Sequence, residues 1–205
     1  TFPEGRHTVQ FRAVDRVGNT EVTQSLTLRS DNSAAQTSLA VSGGRQAPGP
    51  TAESFYASSD TRLALLAIDP ITADVASGVD FPRWQDSGGA YQTYSAPITL
   101  SEGSHLFGYQ SQDHVGNLEV LKATTVIVDS SAPNSAFAIG TPSFTDGDGT
   151  RYVTPATPVS FSAEDPGLPG STAGSGVDRI EVAVDGGAFA AYTAALTFAE
   201  GRHTV

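Results

Sequence analysis

Nine residues occur at both ends of the chain: "TFPEGRHTV" at 1–9 and "TFAEGRHTV" at 197–205, identical at eight of nine positions. A middle copy, "TLSEGSHLFGYQSQDHVGNLE" at 99–119, matches residues 1–21 at nine of 21 positions, so Thr1, Thr99 and Thr197 stand 98 residues apart. Asp31 and Asp129, Ala34 and Ala132, and "SGVD" at 77–80 and 175–178 keep that offset. Tyr56 with Tyr152 and Asp69 with Asp165 run at 96, as when one loop loses two residues and the next regains them. This period is too long for a solenoid and is the size of a β-sandwich domain. The expected division is therefore the C-terminal strands of one repeat at 1–31, a complete repeat at 32–130, and at 131–205 a repeat lacking its last two strands.

Period-two alternation marks the strands inside one repeat. "SLAV" (38–41) and "AFAI" (136–139) open the repeats, and "LALLAID" (63–69) matches "VSFSAED" (159–165). In these, Leu63, Leu65 and Ala67, like Val159, Phe161 and Ala163, point one way. "VDRIEVAVDGG" (177–187) ends in a hairpin turn, and its counterpart "VDFPRWQDSGG" (79–89) places Trp84 at the inward site of Val182. Pro82 there predicts an edge or a bulge. "AYQTYSAPITL" (90–100), the strand after the Glu-Gly turn, and "EVLKATTVIV" (119–128) complete about seven short strands per repeat with no helical period. The expected fold class is all-β, built as tandem antiparallel sandwiches of about 98 residues.

Composition narrows the partners. The net charge is −11, with Lys122 the only lysine, which disfavours nucleic acid and anionic lipid and supplies carboxylates for hard cations. Without cysteine there is neither a disulfide framework nor a thiolate metal site. No apolar run is long enough for a helix to span a bilayer. With no initiator methionine, the chain is expected to be a slice of a longer array.

"SGVDRIEVAVDGGAFAAYTAALTFAEGRHTV", with the "FRAVDRVGNTE" and "VDSSAP" segments, resembles bacterial immunoglobulin-like repeats. Within that group it is most similar to the β-domain named after leptospiral outer-membrane proteins. "DNSAA" (31–35) departs from the linker pattern by losing its proline. The resemblance covers nearly the whole chain. It implies modules of cell-surface fibres, adhesins or accessory regions of extracellular enzymes, without catalysis by the module itself.

In an immunoglobulin-like strand order, the loop after the second strand and the loop before the last share one pole, where the chain also enters the domain. This gathers Asp31 from the linker, Asp69, Asp74 and Asp80 from one loop, and Asp113 with Asn117 from the other. Converging hard oxygens suit calcium, which takes about six to eight of them. The next repeat would use Asp129, Asp165 and Asp178. The competing reading is that Asp15, Asp113 and the Gly-Asn pairs only build turns. "FTDGDGTRY" (144–152) lacks the downstream glutamate of a calcium loop and reads as a solvent turn.

His7, His105 and His203 recur just after the Glu-Gly turn, and a hydrogen bond to a nearby loop suits them better than zinc. No serine has a histidine–aspartate pair, and the acids of "AEDPGLPG" (163–170) lie in a loop of varying length, so no catalysis is expected. Tyr91, Tyr94, Phe189 and Tyr192 suggest either an aromatic strip for a glycan or ordinary packing. The expected role is a structural or adhesive module of an extracellular fibre or stalk, and the alternative is a glycan- or host-matrix-binding accessory module of a secreted enzyme. Expected partners are neighbouring copies of the repeat, either covalently continuous, the favoured explanation of the matching ends, or joined head to tail by donated strands.

Overall fold

The protein is described from a computed structural model, which places residues 1–168 and 174–205. All regular structure among them is β, in two compact units, Thr1–Val128 and Asp129–Val205.

The first unit begins with an antiparallel hairpin of β1 (Gly5–Phe11) and β2 (Gln24–Ser30). Then follow β3 (Gln36–Ser42), β4 (Gln46–Pro48), β5 (Ser54–Ala57), β6 (Arg62–Ile68), β7 (Val79–Asp86), β8 (Gln92–Thr93), β9 (Gly103–Asp113) and β10 (Lys122–Val128). One sheet is the antiparallel pair β3–β6; the other runs β4-β5-β10-β9-β7-β8, with β5 and β10 parallel and all other neighbours antiparallel.

The two sheets meet through one core. Leu63 and Leu65 of β6 face Phe107 of β9, Ala57 of β5, and Val126 and Val128 of β10, all buried, with Leu39, Val41 and Trp84 packed around them. Alternation produces this: Leu63 and Leu65 are at most 4% exposed, whereas Leu66, next along on the opposite face, is 61% exposed. Trp84 points inward as its position predicts and stacks on Phe107 at 5.6 Å between centroids. Pro82 does not lie on an edge strand. Pro82 itself pairs in register with Ser111, while the register of β7 with β9 slips just before it, between Val79 and Phe81, as a bulge or similar irregularity.

The segment 90–100 is not the single strand its pattern suggests. Gln92–Thr93 pairs with β7, and then Ile98 exchanges both backbone bonds with Leu63 at 2.9 Å. The chain thus crosses from one sheet to the other, with Pro97 at the crossing, where a missing N–H breaks no ladder.

Behind the apolar core a polar knot fixes the last two strands. Glu119 accepts the Thr37 and Ser111 backbone N–H groups at 3.0 and 3.1 Å and the Lys122 ammonium at 2.6 Å. Lys122 also donates to the Thr37 carbonyl at 2.6 Å. Burial pushes the Glu119 carboxyl up, but the donors from Lys122 and Thr37 outweigh it and hold the group below its ordinary range.

In the second unit the strands are β11 (Asn134–Ile139), β12 (Ser143–Thr145), β13 (Arg151–Val153), β14 (Val159–Glu164), β15 (Glu181–Val182) and β16 (Ala190–Ala191), paired β11–β14, β12–β13 and β15–β16. Leu196 bridges to Val159 as Ile98 does to Leu63. Among the described residues nothing corresponds to the full β9–β10 pair.

Replacing Glu119 with Ala strands the Thr37 and Ser111 donors and should cost on the order of 3 kcal/mol at neutral pH, read from urea unfolding. Because the folded carboxyl titrates below its unfolded value of about 4.3, its contribution is complete above that pH and fades below it. The gap between wild type and Glu119→Gln should therefore narrow from pH 6 towards about pH 3. A gap that widens on acidification contradicts the assignment.

Candidate metal centre

Asp31 follows β2 directly and leads the chain towards β3. Its Oδ2 accepts the Ser77 N–H at 2.6 Å and its Oδ1 that of Ser33 at 3.1 Å. Asp69, just after β6, accepts the next donor along, the Gly78 N–H, at 2.7 Å. Adjacent N–H groups of the Ser-Gly pair therefore draw two carboxylates together, and Gly78 holds the bend at φ 89°. Asp113 ends β9 and caps its own turn, accepting the Val115 and Asn117 N–H groups at 3.1 and 2.7 Å. The Asn117 amide then donates to Asp113 Oδ2 at 2.7 Å and to the Asp31 carbonyl at 3.0 Å, which ties this turn to the linker.

One oxygen each from Asp31, Asp69 and Asp113 lies within 4.8 Å of the others. Calcium–oxygen bonds of about 2.3–2.6 Å put opposite ligands at about that separation. Asp113 is 1% exposed, and none of the ion pairs among the described residues involves the three. Asp69 Oδ1 is buried without a hydrogen-bond partner, an arrangement that costs free energy unless a cation or water supplies what is lacking. Burial raises the Asp31 carboxyl, yet the donors from Ser77 and Ser33 prevail and keep it below the usual range. Asp31 therefore stays ionised at neutral pH.

The second unit rebuilds most of this. Ser175 N–H donates to Asp129 Oδ2 at 2.7 Å, Gly176 N–H to Asp165 Oδ2 at 2.6 Å, and Ser131 N–H to Asp129 Oδ1 at 3.0 Å. Asp165 Oδ1 is again buried and unpartnered. The same unpaired oxygen thus recurs at the same repeat position.

The remaining expected ligands fall elsewhere. Asp74 is exposed at φ 60°, and Asp80 faces His114 at 3.6 Å in solvent. Asp178 is taken up by Arg179 at 2.7 Å. Asn117 joins the pole as a donor clamp. Sequence reasoning passed over Glu4, from the Glu-Gly turn that opens β1, which accepts the Asn32 N–H and Ser33 hydroxyl at 3.3 and 3.0 Å and leaves Oε1 buried and unpartnered. Its signal was present in the Glu-Gly pairs at 4–5, 102–103 and 200–201, which read only as turns.

The recurring histidines do what their position suggests. His7, His105 and His203 each place Nε2 at 2.8–3.1 Å from the carbonyl four residues earlier, which clasps the Glu-Gly turn. His105 and His203 also set Nδ1 at 2.8 Å from Asp86 and Asp185. Asp185 raises the His203 imidazole above its ordinary value. The "FTDGDGTRY" segment is a turn capped by Asp146, which accepts the Asp148 and Thr150 N–H groups. Residues 169–170 of the paired-acid loop lie outside the described residues. Of the aromatic positions, Tyr94 packs on the core, Tyr192 meets Phe161 edge-on at 5.3 Å, and Tyr91 lies under the Arg83 guanidinium at 4.2 Å. Phe189 is exposed.

No family model, curated protein or solved structure matches the chain, so what this pole can do rests on its own oxygens and donors.

Asn117→Ala removes the clamp between turn and linker and should lower unfolding stability by about 1–2 kcal/mol in chemical denaturation. An unchanged urea midpoint would mean that the amide bonds carry no weight.

Proposed function

We propose that the chain is a structural or adhesive stretch of an extended extracellular or cell-surface repeat protein, with immunoglobulin-like modules strung in series and calcium at their junctions. The observation that carries this reading is the convergence at Asp31. The linker carboxylate after one repeat's last strand is held by Ser77 of the next repeat, while Asn117 of that repeat grips its carbonyl. Glu4 adds a side chain from the preceding repeat. These bonds join consecutive repeats through short-range polar contacts, as a stalk needs if it is not to bend freely at each step.

Calcium fits this arrangement because three or four carboxylates in one small volume repel without a countercharge, and one divalent ion offsets much of that. Asp69 Oδ1 is the oxygen with room for a further bond. Asp31, Asp69 and Asp113 would supply ligands, with Asn117 positioning the turn, and the Asp129–Asp165 pair would serve the following repeat. Nothing in this reading gives the module a catalytic role. The net charge of −11 suits a soluble, extended object and also favours cation uptake.

Calcium at one hundred times its dissociation constant should stabilise the folded chain by about 2.7 kcal/mol, and chelator should reverse the gain. The shift in melting temperature should vanish in Asp69→Asn and in Asp113→Asn. A full calcium response in either variant removes that residue from the site, and no response in wild type removes the metal. The stalk itself is tested separately by small-angle scattering of a chain of several repeats, where a compact profile would overturn it.

A further inference from the structure

A histidine ring offers two N–H donors only when it is charged; the neutral ring offers one donor and one lone pair. His105 has an oxygen at each nitrogen: Asp86 Oδ2 stands 2.8 Å from Nδ1 and the Ser101 carbonyl 2.9 Å from Nε2. A carboxylate and a carbonyl only accept, so a neutral ring would aim its lone pair at one of them. The His105 side chain is 12% exposed, which leaves water little room to replace either bond. His203 repeats the arrangement, with Asp185 Oδ2 at 2.8 Å and the Ala199 carbonyl at 3.1 Å. Its ring also lies 5.2 Å from that of Phe198, a placement that favours a cation.

The two units deliver that carboxylate from different positions. Aligned on their Gly-Gly pairs, "QDSGG" (85–89) and "AVDGG" (183–187) put Asp86 opposite Val184 and Ser87 opposite Asp185. The turns themselves are alike. Ser87 and Asp185 have φ of 49° and 53°, and their N–H groups donate to the Leu106 and Thr204 carbonyls at 2.9 and 2.7 Å. Asp185 accepts both the His203 ring and the Thr204 N–H, the latter at 2.8 Å. In the first unit these tasks are divided: Ser87 Oγ accepts the Leu106 N–H at 3.3 Å, and Asp86 takes the ring. The turn does not need a carboxylate at either position to form. A charged ring does need one within reach.

We propose that the imidazoles of His105 and His203 are pH-operated latches on the Glu-Gly turns at 102–103 and 200–201, each joining turn, strand and hairpin while it holds two protons and releasing one partner when it gives one up. Other charged groups on the elements around His105 are engaged elsewhere. Arg83 of β7 lies over Tyr91, Asp80 faces His114, Lys122 of β10 is bound to Glu119, and Arg62 of β6 is exposed beside Asp60, while Glu102 sits in the latched turn itself. Around His203, Asp178 and Glu181 are held by Arg179, Arg151 lies over Phe137, and Glu200 and Arg202 belong to the turn and its strand. Asp185 raises the His203 imidazole above its ordinary value of about 6.5, so that latch contributes fully below this pH and is lost as pH climbs past the folded value. A turn of this kind also carries Glu4, which holds the Asn32 N–H and the Ser33 hydroxyl beside Asp31. What the ring fixes is therefore a glutamate as well as a strand.

The inference stands on ring geometry, independently of the extracellular role and of calcium. Nitrogen-resolved NMR of the 205-residue chain at about pH 5.5 should show both ring N–H protons of His105 and of His203 protected from exchange, whereas those of His114, 58% exposed, exchange freely. Raising the pH to about 8.5 should remove one proton from each latched ring and lower amide protection at 101–105 several-fold, once intrinsic exchange is accounted for. Asp86→Asn combined with Asp185→Asn supplies an amide that accepts from a charged ring and donates to a neutral one. Its urea midpoint should lie below that of wild type at the lower pH, and the gap should close at the higher. A gap of the same size at both pH values overturns the proposal, because a merely structural bond would behave that way. So does a single protected N–H on either ring at about pH 5.5, a result that decides the matter even where the double variant does not fold.

Discussion

The packing of the β9–β10 hairpin between β5 and β7 is the contact on which the rest of this protein depends. It places Phe107, Tyr109, Val126 and Val128 over Leu63 and Leu65, and without it the facing β3–β6 pair has nothing to bury against. The same hairpin carries Glu119 to the Thr37 N–H and Asp113 to the acidic pole. Core, polar knot and candidate metal centre are three consequences of one docking event.

Electrostatics at the pole follow from backbone geometry more than from paired charge. Asp31 and Asp69 are drawn together by successive N–H groups of a Ser-Gly pair, and Asp113 is fixed by its own turn. These donors hold the three carboxylates close together, and at Asp31 they keep the carboxyl below its usual range. Basic residues number 11 against 22 acidic ones, and none of the ion pairs among the described residues reaches Asp31, Asp69 or Asp113. An unpaired buried oxygen is found at both Asp69 and Asp165, and this is what motivates the divalent ion proposed above.

Much of this was legible from spacing and alternation. Leu63, Leu65 and Trp84 face the core because a strand's period of two leaves little choice once one face is buried. Asp31, Asp69 and Asp113 could be grouped because loops at one end of a sandwich share a pole. Asp74, Asp80 and Asp178 were grouped by the same reasoning but lie apart, since nearness along a loop does not fix where a side chain points; only a specific donor, here Ser77 or Gly78, does that. Glu119 escaped notice for a related reason. Its partners Thr37, Ser111 and Lys122 lie 82, eight and three residues away, and only the folded sheets bring their donors to one carboxylate.

By itself the sequence determined the all-β class and the inward-facing positions of strands such as β6, because these depend on local chain geometry. Tertiary structure alone decided that segment 90–100 switches sheets at Pro97 and that Glu4 reaches across to Ser33. Those outcomes turn on which surfaces find a partner, and a strand's own residues specify the face it offers without specifying what will cover it.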